Sequence, residues 1–500
     1  MFFSLLGFIL IPVNIAQITL SHRQGIPLYR QLVFALAHAI EQGEIQPGEQ
    51  LPSERALGQH LGISRTTVVT AYQELEAQGL VRRQVGRGTI VCAVAKDPHA
   101  SFAWQGKVAR GALRASDPTL RLLGEISVDP TIISFAAGIA ALDLFPSQLF
   151  QEITARIWRE QAQRVVELGP TDGLLEFRQA VATMMGVRPS QILALSGSQQ
   201  GIDLIARCLL DPGDSVLLDA PGYLGAIQIF QAAGAHLIGW DSIHADLNEL
   251  EDLIVRYRPK LLYTTPTFQN PTGHTLSRQT RLRLLELAAR YHLPIIEDDP
   301  YRDLAFNFKP PPTLLSLDTQ HLVIYLGTFS KTLASGLRLG WLAAPESIVN
   351  HLALLKGRSD LFTTSLQQLV VTELLRSGIY TQHIKNMQRA YAQRQAAMLG
   401  ELRRSSPPDL ISSFAVQGGL YLWCQLGYGI DARLALQKAL QAGVAFLPGE
   451  VFYPDGRGQD ELRLCFSAIP PSKIVEGVRR LTQALNELRS APKQEEHLRR

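Results

Sequence analysis

The sequence is poor in cysteine, with four in 500 residues, at Cys92, Cys208, Cys424 and Cys465. No two of them form a CxxC pair, which excludes the dense disulfide framework of small secreted domains and predicts reduced thiols in a cytoplasmic protein. The twelve histidines show no metal-ligand spacing, so no metal site is predicted. The formal net charge is only +3, so only a local basic patch could bind a polyanion.

Charge is absent from residues 1–20, MFFSLLGFILIPVNIAQITL. By length alone this run could be a membrane span or a signal sequence. However, no Lys or Arg precedes it, Pro12 and Asn14 interrupt it, and no small-residue cleavage site follows. We therefore favour a non-native start or a disordered extension over an anchor, and expect no membrane partner. Residues 491–500, APKQEEHLRR, are predicted to form a solvated polar tail.

A small domain is predicted over residues 21–92. Apolar residues in PLYRQLVFALAHAIEQG recur at four-residue intervals, which is typical of an amphipathic helix. Two further helices are predicted, one with Ser53 as N-cap and Gly62 as its end, and one with Ser64 as N-cap. Two strand-like runs follow around a glycine-rich turn. The predicted order is therefore helix, helix, turn, helix and hairpin.

The start of the third helix, SRTT, is polar, and the hairpin that follows is basic. A helix-turn-helix presents such a helix start to the major groove, and a basic wing can contact phosphates. The alternative is a generic three-helix module with solvated arginines. The stretch PGEQLPSERALGQHLGISRTTVVTAYQELEAQGLV and the GRGT turn resemble the winged helix-turn-helix of GntR-type bacterial regulators. Together, the helix start, the basic wing and this resemblance assign the DNA contacts to Arg55, Ser64, Arg65, Thr67, Arg87 and Gly88.

Residues 93–130 have no sustained periodicity and are predicted to be an interdomain linker. Over residues 131–490, short apolar runs such as ILALS, SVLLD and LVIYLG alternate with helical stretches. This alternation predicts an α/β domain with a mostly parallel sheet and helices on both faces.

In this domain, LGTFSKTLASGLRLGW contains only two charged residues, Lys331 and Arg338. An amine becomes nucleophilic toward an aldehyde when a dry, positively charged environment lowers its pKa. The planar guanidinium of arginine suits a phosphate. A phosphorylated aldehyde would use both groups, which predicts pyridoxal 5'-phosphate (PLP) as the cofactor.

Further parts of a PLP site follow other strand-like runs. A helix start at GSQQG can bind phosphate, the carboxylate of Asp298 after LPIIE can pair with a pyridine nitrogen, and an aromatic side chain can stack on the ring. Each motif alone has an ordinary explanation as a surface residue, a helix cap or a turn, but all of them occur in order along alternating strands. The residues concerned are Ser198, Gln199, Tyr223, Asn270, Asp298 and Tyr301.

With these motifs, residues 131–488 resemble fold type I PLP-dependent aminotransferases, especially the aromatic and aminoadipate subgroup. The resemblance implies that Lys331 forms the internal aldimine, that Asp298 pairs with the pyridine nitrogen and that Tyr223 stacks, which makes these three the predicted catalytic residues. Asn270 and Tyr301 would bond the ring hydroxyl. The implied phosphate ligands are Ser198, Gln199, Thr328, Ser330 and Arg338.

The resemblance also implies two substrate contacts. Arg463 in ELRLCFS would bind an α-carboxylate, and Gly138 would contact the same group through its backbone. The alternative for Arg463 is a strand arginine paired within the protein. One departure concerns LGPTDG, where Leu168 stands at the position of a tyrosine that reaches the phosphate from a second subunit. By contrast, the motifs NPTG and EDDPY have the same form as in the enzymes.

A GntR-like winged helix followed by an aminotransferase-like domain is the arrangement of MocR-type regulators, which the whole chain resembles. We therefore expect a homodimeric transcription regulator that binds a double-stranded DNA operator and senses PLP or an amino compound. Two alternatives stay open: an active aminotransferase with a vestigial or autoregulatory DNA-binding domain, and a cofactor-free dimerisation scaffold.

Overall fold

The computed structural model describes residues 20, 27–41, 44–46, 48–77, 80–84, 88–92 and 129–490. The chain divides into two compact units, Met1–Leu113 and Arg114–Arg500, and this division falls inside the predicted linker. The predicted N-terminal extension, most of the linker, Arg87 and the polar tail lie outside the described residues. Within the described ranges, no helix is both long enough and apolar enough to cross a bilayer.

The N-terminal unit contains the predicted helices and hairpin. The Ser53 hydroxyl caps the second helix by accepting from Ala56 N at 3.3 Å, and Ser64 caps the third by accepting from Thr67 N at 3.1 Å. Both predicted N-caps are therefore confirmed. The elements are α1 (Leu28–Glu41), α2 (Glu54–Leu61), α3 (Arg65–Ala77), β1 (Val81–Gln84) and β2 (Gly88–Val91).

The core of this unit is formed by the apolar stripes of α1 and α3, where Leu32, Leu36, Val68 and Leu75 are buried. Tyr72 is also buried and donates from its hydroxyl to Pro52 O at 2.8 Å, which ties α3 to the segment before α2. This contact fixes the two helices against each other, so the polar start of α3 is held in a defined position.

The second unit is built on a seven-stranded sheet. Its strands are β4 (Ile192–Leu195), β5 (Ser215–Asp219), β6 (His236–Trp240), β7 (Leu261–Thr264), β8 (Ile295–Asp298), β9 (Val323–Thr328) and β10 (Gly340–Ala343). They lie in the order β4-β10-β9-β8-β7-β5-β6. Six strands run parallel, as predicted, and β10 is antiparallel to both neighbours. Only residues 329–339 connect β9 to β10, and a parallel crossover needs about a dozen residues or more.

Helices cover both faces of this sheet, which confirms the predicted layers. The helices of this unit are α4 (Ser147–Val166), α5 (Leu175–Met185), α6 (Ser198–Leu209), α7 (Leu224–Ala232), α8 (Leu247–Tyr257), α9 (Arg278–Arg290), α10 (Leu314–Leu317), α11 (Glu346–Ser359), α12 (Ser365–Arg376), α13 (Ile379–Ser405), α14 (Ala432–Gln441) and α15 (Pro471–Ser490). Apolar side chains of α4, α5 and α12 pack on one face of the sheet, and those of α6, α7 and α11 pack on the other.

A smaller antiparallel sheet and a short parallel strand pair complete this unit. Their strands are β3 (Ile133–Ser134), β11 (Ile411–Ser413), β12 (Tyr421–Leu426), β13 (Val444–Ala445), β14 (Leu447–Pro448) and β15 (Glu461–Cys465). The sheet, in the order β11-β12-β15-β14, packs with α13, α14 and α15 around a separate apolar core. The parallel pair, β3 and β13, lies beside it. The small sheet supplies Arg463 to the site described next.

Candidate cofactor site

The carboxyl-terminal edge of the large sheet holds a cleft, at the place where open α/β sheets usually bind ligands. Asp298 is the last residue of β8, Lys331 follows the end of β9, and Ser198 begins α6 just after β4. The fold thus brings together side chains that are far apart in the sequence. The cleft is lined by Ser198, Tyr223, Thr265, Asn270, Asp298, Pro300, Tyr301 and Lys331.

Lys331 is half-buried, and its Nζ donates to the carbonyl oxygen of Gly138 at 2.6 Å. Burial lowers the pKa of this lysine to about 8, and the positive charges of Arg463 and Arg338 act in the same direction, against an opposing contribution from Asp298. A sizeable fraction of the amine is therefore neutral near physiological pH, which is the form that attacks an aldehyde.

Asp298 is buried and accepts at Oδ2 from the hydroxyl of Tyr263 at 2.5 Å. Its Oδ1 has no hydrogen-bond partner among the described residues. Burial raises the pKa of Asp298 to about 7, while the hydrogen bond from Tyr263 lowers it. A buried acceptor without a donor on the wall of a cleft fits a protonated ring nitrogen of a ligand.

The start of α6 and Arg338, both predicted to bind the phosphate, lie next to each other. Gly197 precedes the helix with φ 96°, and no side chain caps the first turn of α6 in this part of the structure. The Nη2 of Arg338 donates to Ser196 O at 2.9 Å, so its guanidinium lies against this turn. Free backbone N–H groups next to a cation form an anion-binding site.

Two further predicted phosphate ligands bond each other: Thr328 is the last residue of β9, and Ser330 follows the strand. Thr328 donates from Oγ1 to Ser330 Oγ at 3.0 Å, and the backbone N–H of Ser330 donates back to Thr328 Oγ1 at 3.2 Å. Nearby, the Tyr223 hydroxyl donates to Gln199 Oε1 at 2.8 Å. Burial raises the pKa of Tyr223 well above its usual value, so this ring stays neutral.

Asn270 lines the cleft and is bonded to Arg463, which lies next to it. Arg463 is buried and donates from Nη1 to Asn270 Oδ1 at 2.8 Å and from Nη2 to Ala136 O at 2.5 Å. The internal pairing considered for Arg463 thus exists, and it connects this arginine directly to a predicted ring-hydroxyl ligand. Because its oxygen accepts from Arg463, the Asn270 amide group presents N–H donors to the cleft.

The donor set fits PLP: an amine of lowered pKa, an unpartnered buried carboxylate oxygen, an anion site and amide donors lie around one cleft. Sequence reasoning missed Tyr263, because it lies inside an apolar strand run that reads as ordinary core. It also missed Thr265, which follows that strand, and Tyr421, whose hydroxyl lies 3.1 Å from that of Tyr301. Leu168 is 78% exposed and does not line the cleft.

In the N-terminal unit, the five predicted DNA contacts that the structure describes lie at or near the surface. Ser64 and Arg65 are exposed at the start of α3, Arg55 is exposed on α2, and Gly88 is exposed at the start of β2 with φ 76°. Thr67 is half-buried, and its hydroxyl lies 2.8 Å from that of Ser64. The helix start is thus polar and accessible, as a DNA-reading helix requires.

Comparison with known proteins agrees with this geometry. Residues 130–481 match the family described as aminotransferase class I and II. The chain belongs to the aminotransferase class I and II family. Residues 28–91 match the gntR family of bacterial regulatory proteins. The expected combination of a GntR-like DNA-binding domain with an aminotransferase-like domain is thereby confirmed, and so is PLP as the cofactor of the aminotransferase class I and II domain.

Three similar proteins include one aminotransferase and two regulators. The α-aminoadipate aminotransferase LysN of Thermus thermophilus, solved with N-(5'-phosphopyridoxyl)-L-leucine, is 38% identical with a TM-score of 0.74, covering 77% of this chain and 99% of that chain. The HTH-type transcriptional regulator YisV of Bacillus subtilis is 31% identical over 94% of this chain and 98% of its own length. The probable rhizopine catabolism regulatory protein MocR of Rhizobium meliloti is 28% identical over 95% and 97%.

Proposed function

We propose that this protein is a MocR-type transcription regulator that binds operator DNA through α3 and the wing, and binds PLP through Lys331. The observation that carries the proposal is the presence, in one chain, of an exposed polar helix start and a cleft lined by six of the predicted PLP ligands, among them Lys331 and Asp298. PLP supplies an aldehyde that condenses reversibly with amines. A site of this kind can therefore report either the cofactor itself or an amino compound that competes with Lys331.

The residues of the chain have distinct tasks in this proposal. Lys331 would hold the cofactor, and an amino compound would compete with its Nζ. Asp298 would accept from a protonated ring nitrogen, and the start of α6 with Arg338 would hold the phosphate. Because the phosphate and ring contacts persist, only the lysine end of the site changes, and this local change would bias how two subunits present their winged helices.

A homodimer that reads two half-sites belongs to the same proposal, because two-fold symmetric regulators bind palindromic operators. The test is DNA footprinting on the regions upstream of its own gene and neighbouring operons at moderate salt, with PLP alone and with PLP plus amino compounds. We expect a protected site whose occupancy changes with the amino compound. Absence of any protected site under all these conditions would refute regulation.

Active transamination is a second candidate, favoured by the same neutral fraction of Lys331 and by the position of Arg463 next to the cleft residue Asn270. In that role Lys331 would move a proton at the substrate α-carbon, and Arg463 would hold the carboxylate. The candidates differ in turnover. Repeated cycles of cofactor absorbance change with amino acid followed by 2-oxo acid would establish the enzyme, whereas one reversible change coupled to DNA affinity would establish the sensor.

A further inference from the structure

Tyr421, on β12 in the small sheet, contacts three of the predicted site residues at once. Its ring lies under the guanidinium of Arg463, with Arg463 Cζ 4.1 Å from the ring centroid. Its hydroxyl lies 3.1 Å from that of Tyr301. A Cβ on Gly138 would collide with the same hydroxyl, so Tyr421 also packs directly against Gly138. No motif singled out this tyrosine.

The ring contact follows from strand pairing. Tyr421 is opposite Cys465 and Trp423 is opposite Arg463 in the β12–β15 pair, so Tyr421 and Arg463 are diagonal neighbours on one face of the sheet. Both side chains are buried, and a cation over an aromatic face is attracted most strongly when the pair is desolvated. Phe452 contributes a second ring, more distant at 5.1 Å.

Arg463 has few other restraints. Two of its nitrogens donate to Asn270 and Ala136, and its Nε has no hydrogen-bond partner among the described residues. No ion pair with a carboxylate is present at Arg463 in this part of the chain. The Tyr421 ring and these two hydrogen bonds together determine where this charge lies.

The hydroxyl of Tyr421 has a different role. It contacts Tyr301, whose ring packs edge-on against Tyr421 with centroids 5.6 Å apart. Tyr301 lines the cleft, whereas Tyr421 and Arg463 do not. Tyr421 thus contacts a lining residue through its hydroxyl, and its ring contacts Arg463, which is bonded to the lining residue Asn270.

We propose that Tyr421 is a positioning residue that makes the site selective for amines carrying an α-carboxylate, because its ring holds the guanidinium of Arg463 beside Asn270, which lines the cleft. The inference deepens the proposed function and rests on it. It separates two properties of one side chain: the ring sets carboxylate preference, and the hydroxyl supports Tyr301 at the cofactor.

The test uses the full-length, PLP-loaded protein and two variants. Tyr421→Leu removes the ring and the hydroxyl, and Tyr421→Phe removes only the hydroxyl. Dissociation constants are measured from cofactor absorbance for three pairs of probes: phenylalanine and phenethylamine, leucine and isopentylamine, and 2-aminoadipate and 5-aminopentanoate. Within each pair the members differ by the α-carboxylate. The ratio of the two constants is the readout, which does not depend on turnover.

We expect the preference for the carboxylate member to fall about tenfold or more in Tyr421→Leu and to stay within about threefold of wild type in Tyr421→Phe. The Tyr421→Phe variant should instead change the pH dependence of the cofactor spectrum, because Tyr301 loses a hydroxyl neighbour. An unchanged ratio in Tyr421→Leu, or an equal loss for both members of each pair, would overturn the inference.

Separate controls distinguish a folding defect and a failure of the proposed function from a failure of this inference. Phe452→Leu removes the more distant ring and should reduce the ratio less than Tyr421→Leu does. If Tyr421→Leu does not fold, Tyr421→Met takes its place with the same expectation. A wild-type protein that takes up no PLP would refute the proposed function, whereas wild-type carboxylate preference that survives in the leucine or methionine variant refutes only the role of Tyr421.

Discussion

The hydroxyl of Tyr263 donates to Oδ2 of Asp298 at 2.5 Å and leaves Oδ1 free for a ligand. Tyr263 is paired with Ile296 on the adjacent parallel strand, and Asp298 lies two residues beyond Ile296. The side chains of Tyr263 and Asp298 are therefore diagonal neighbours on one face of the sheet. The hydrogen bond favours the ionised carboxylate and opposes the effect of burial on its pKa. Tyr263 would therefore act on a bound cofactor through Asp298.

From this contact we predict that Tyr263→Phe raises the pKa of Asp298 above its present value of about 7 and weakens PLP binding about tenfold at neutral pH. The loss should be smaller at higher pH, where the carboxylate ionises again. Cofactor titrations from pH 6 to 9 measure both effects. Tyr291→Phe removes a hydroxyl that bonds Glu251 away from the cleft and should leave binding unchanged. Equal affinities for Tyr263→Phe and wild type would contradict the prediction.

The pKa of Lys331 predicts how fast PLP attaches. Only the neutral amine attacks the aldehyde, so the rate constant for attachment should rise with pH and level off above the pKa of about 8. Stopped-flow absorbance at saturating PLP measures this profile. Lys331→Ala should abolish covalent fixation by borohydride, whereas Lys473→Ala, which changes a surface lysine, should fix as much PLP as wild type. A midpoint near 10 would show that burial does not lower the pKa.

Asp298 should also affect the stability of the cofactor-free protein. Its folded-state pKa, about 7, is above the ordinary value of 3.8, so folding favours its protonated form. Its ionisation therefore costs stability progressively as pH rises from about 4 through 7. We expect Asp298→Asn to raise Tm by at least about 2 °C at pH 8 relative to wild type, and by less at pH 5. Calorimetry at both pH values tests this, and a larger gain at pH 5 would contradict it.

Gly197 should be necessary for the phosphate end of the cleft. A Cβ at this position would lie 2.8 Å from Arg338 Nη2, on a backbone with φ 96°. We predict that Gly197→Ala weakens PLP binding about tenfold or more, because Arg338 and the start of α6 are forced apart. Gly213→Ala is a matched control, since Gly213 has φ 98° and a Cβ added there would meet no described atom within 4 Å. Similar losses in both variants would mean that backbone strain alone is responsible.

Arg65, exposed at the start of α3, should contribute to DNA affinity through charge. We expect Arg65→Ala to weaken operator binding about tenfold and to reduce the dependence of log affinity on log salt by about one charge. Binding by fluorescence anisotropy over a range of salt concentrations gives both values. Arg283→Ala removes an exposed arginine on α9 and should change neither. Unchanged affinity and salt dependence in Arg65→Ala would remove α3 from the DNA interface.

The alternation of apolar runs and helical stretches was enough to predict the layers of the large domain, and the SRTT and SKT motifs pointed to the two functional surfaces. These features are local, because strand period, helix caps and short loops are encoded by neighbouring residues. The antiparallel strand β10 was not predicted, since its four residues, GWLA, give no direction by themselves.

Which side chains contact each other depends on the tertiary structure. In the sequence, Tyr263 looks like a core residue of one strand and Tyr421 like a residue of a distant strand. Sheet pairing places Tyr263 against Asp298 and Tyr421 under Arg463. Local sequence patterns were sufficient to predict most elements and the chemical groups at their ends. The partners of those groups depend on strand order and burial, which join residues distant along the chain and carry no local signal.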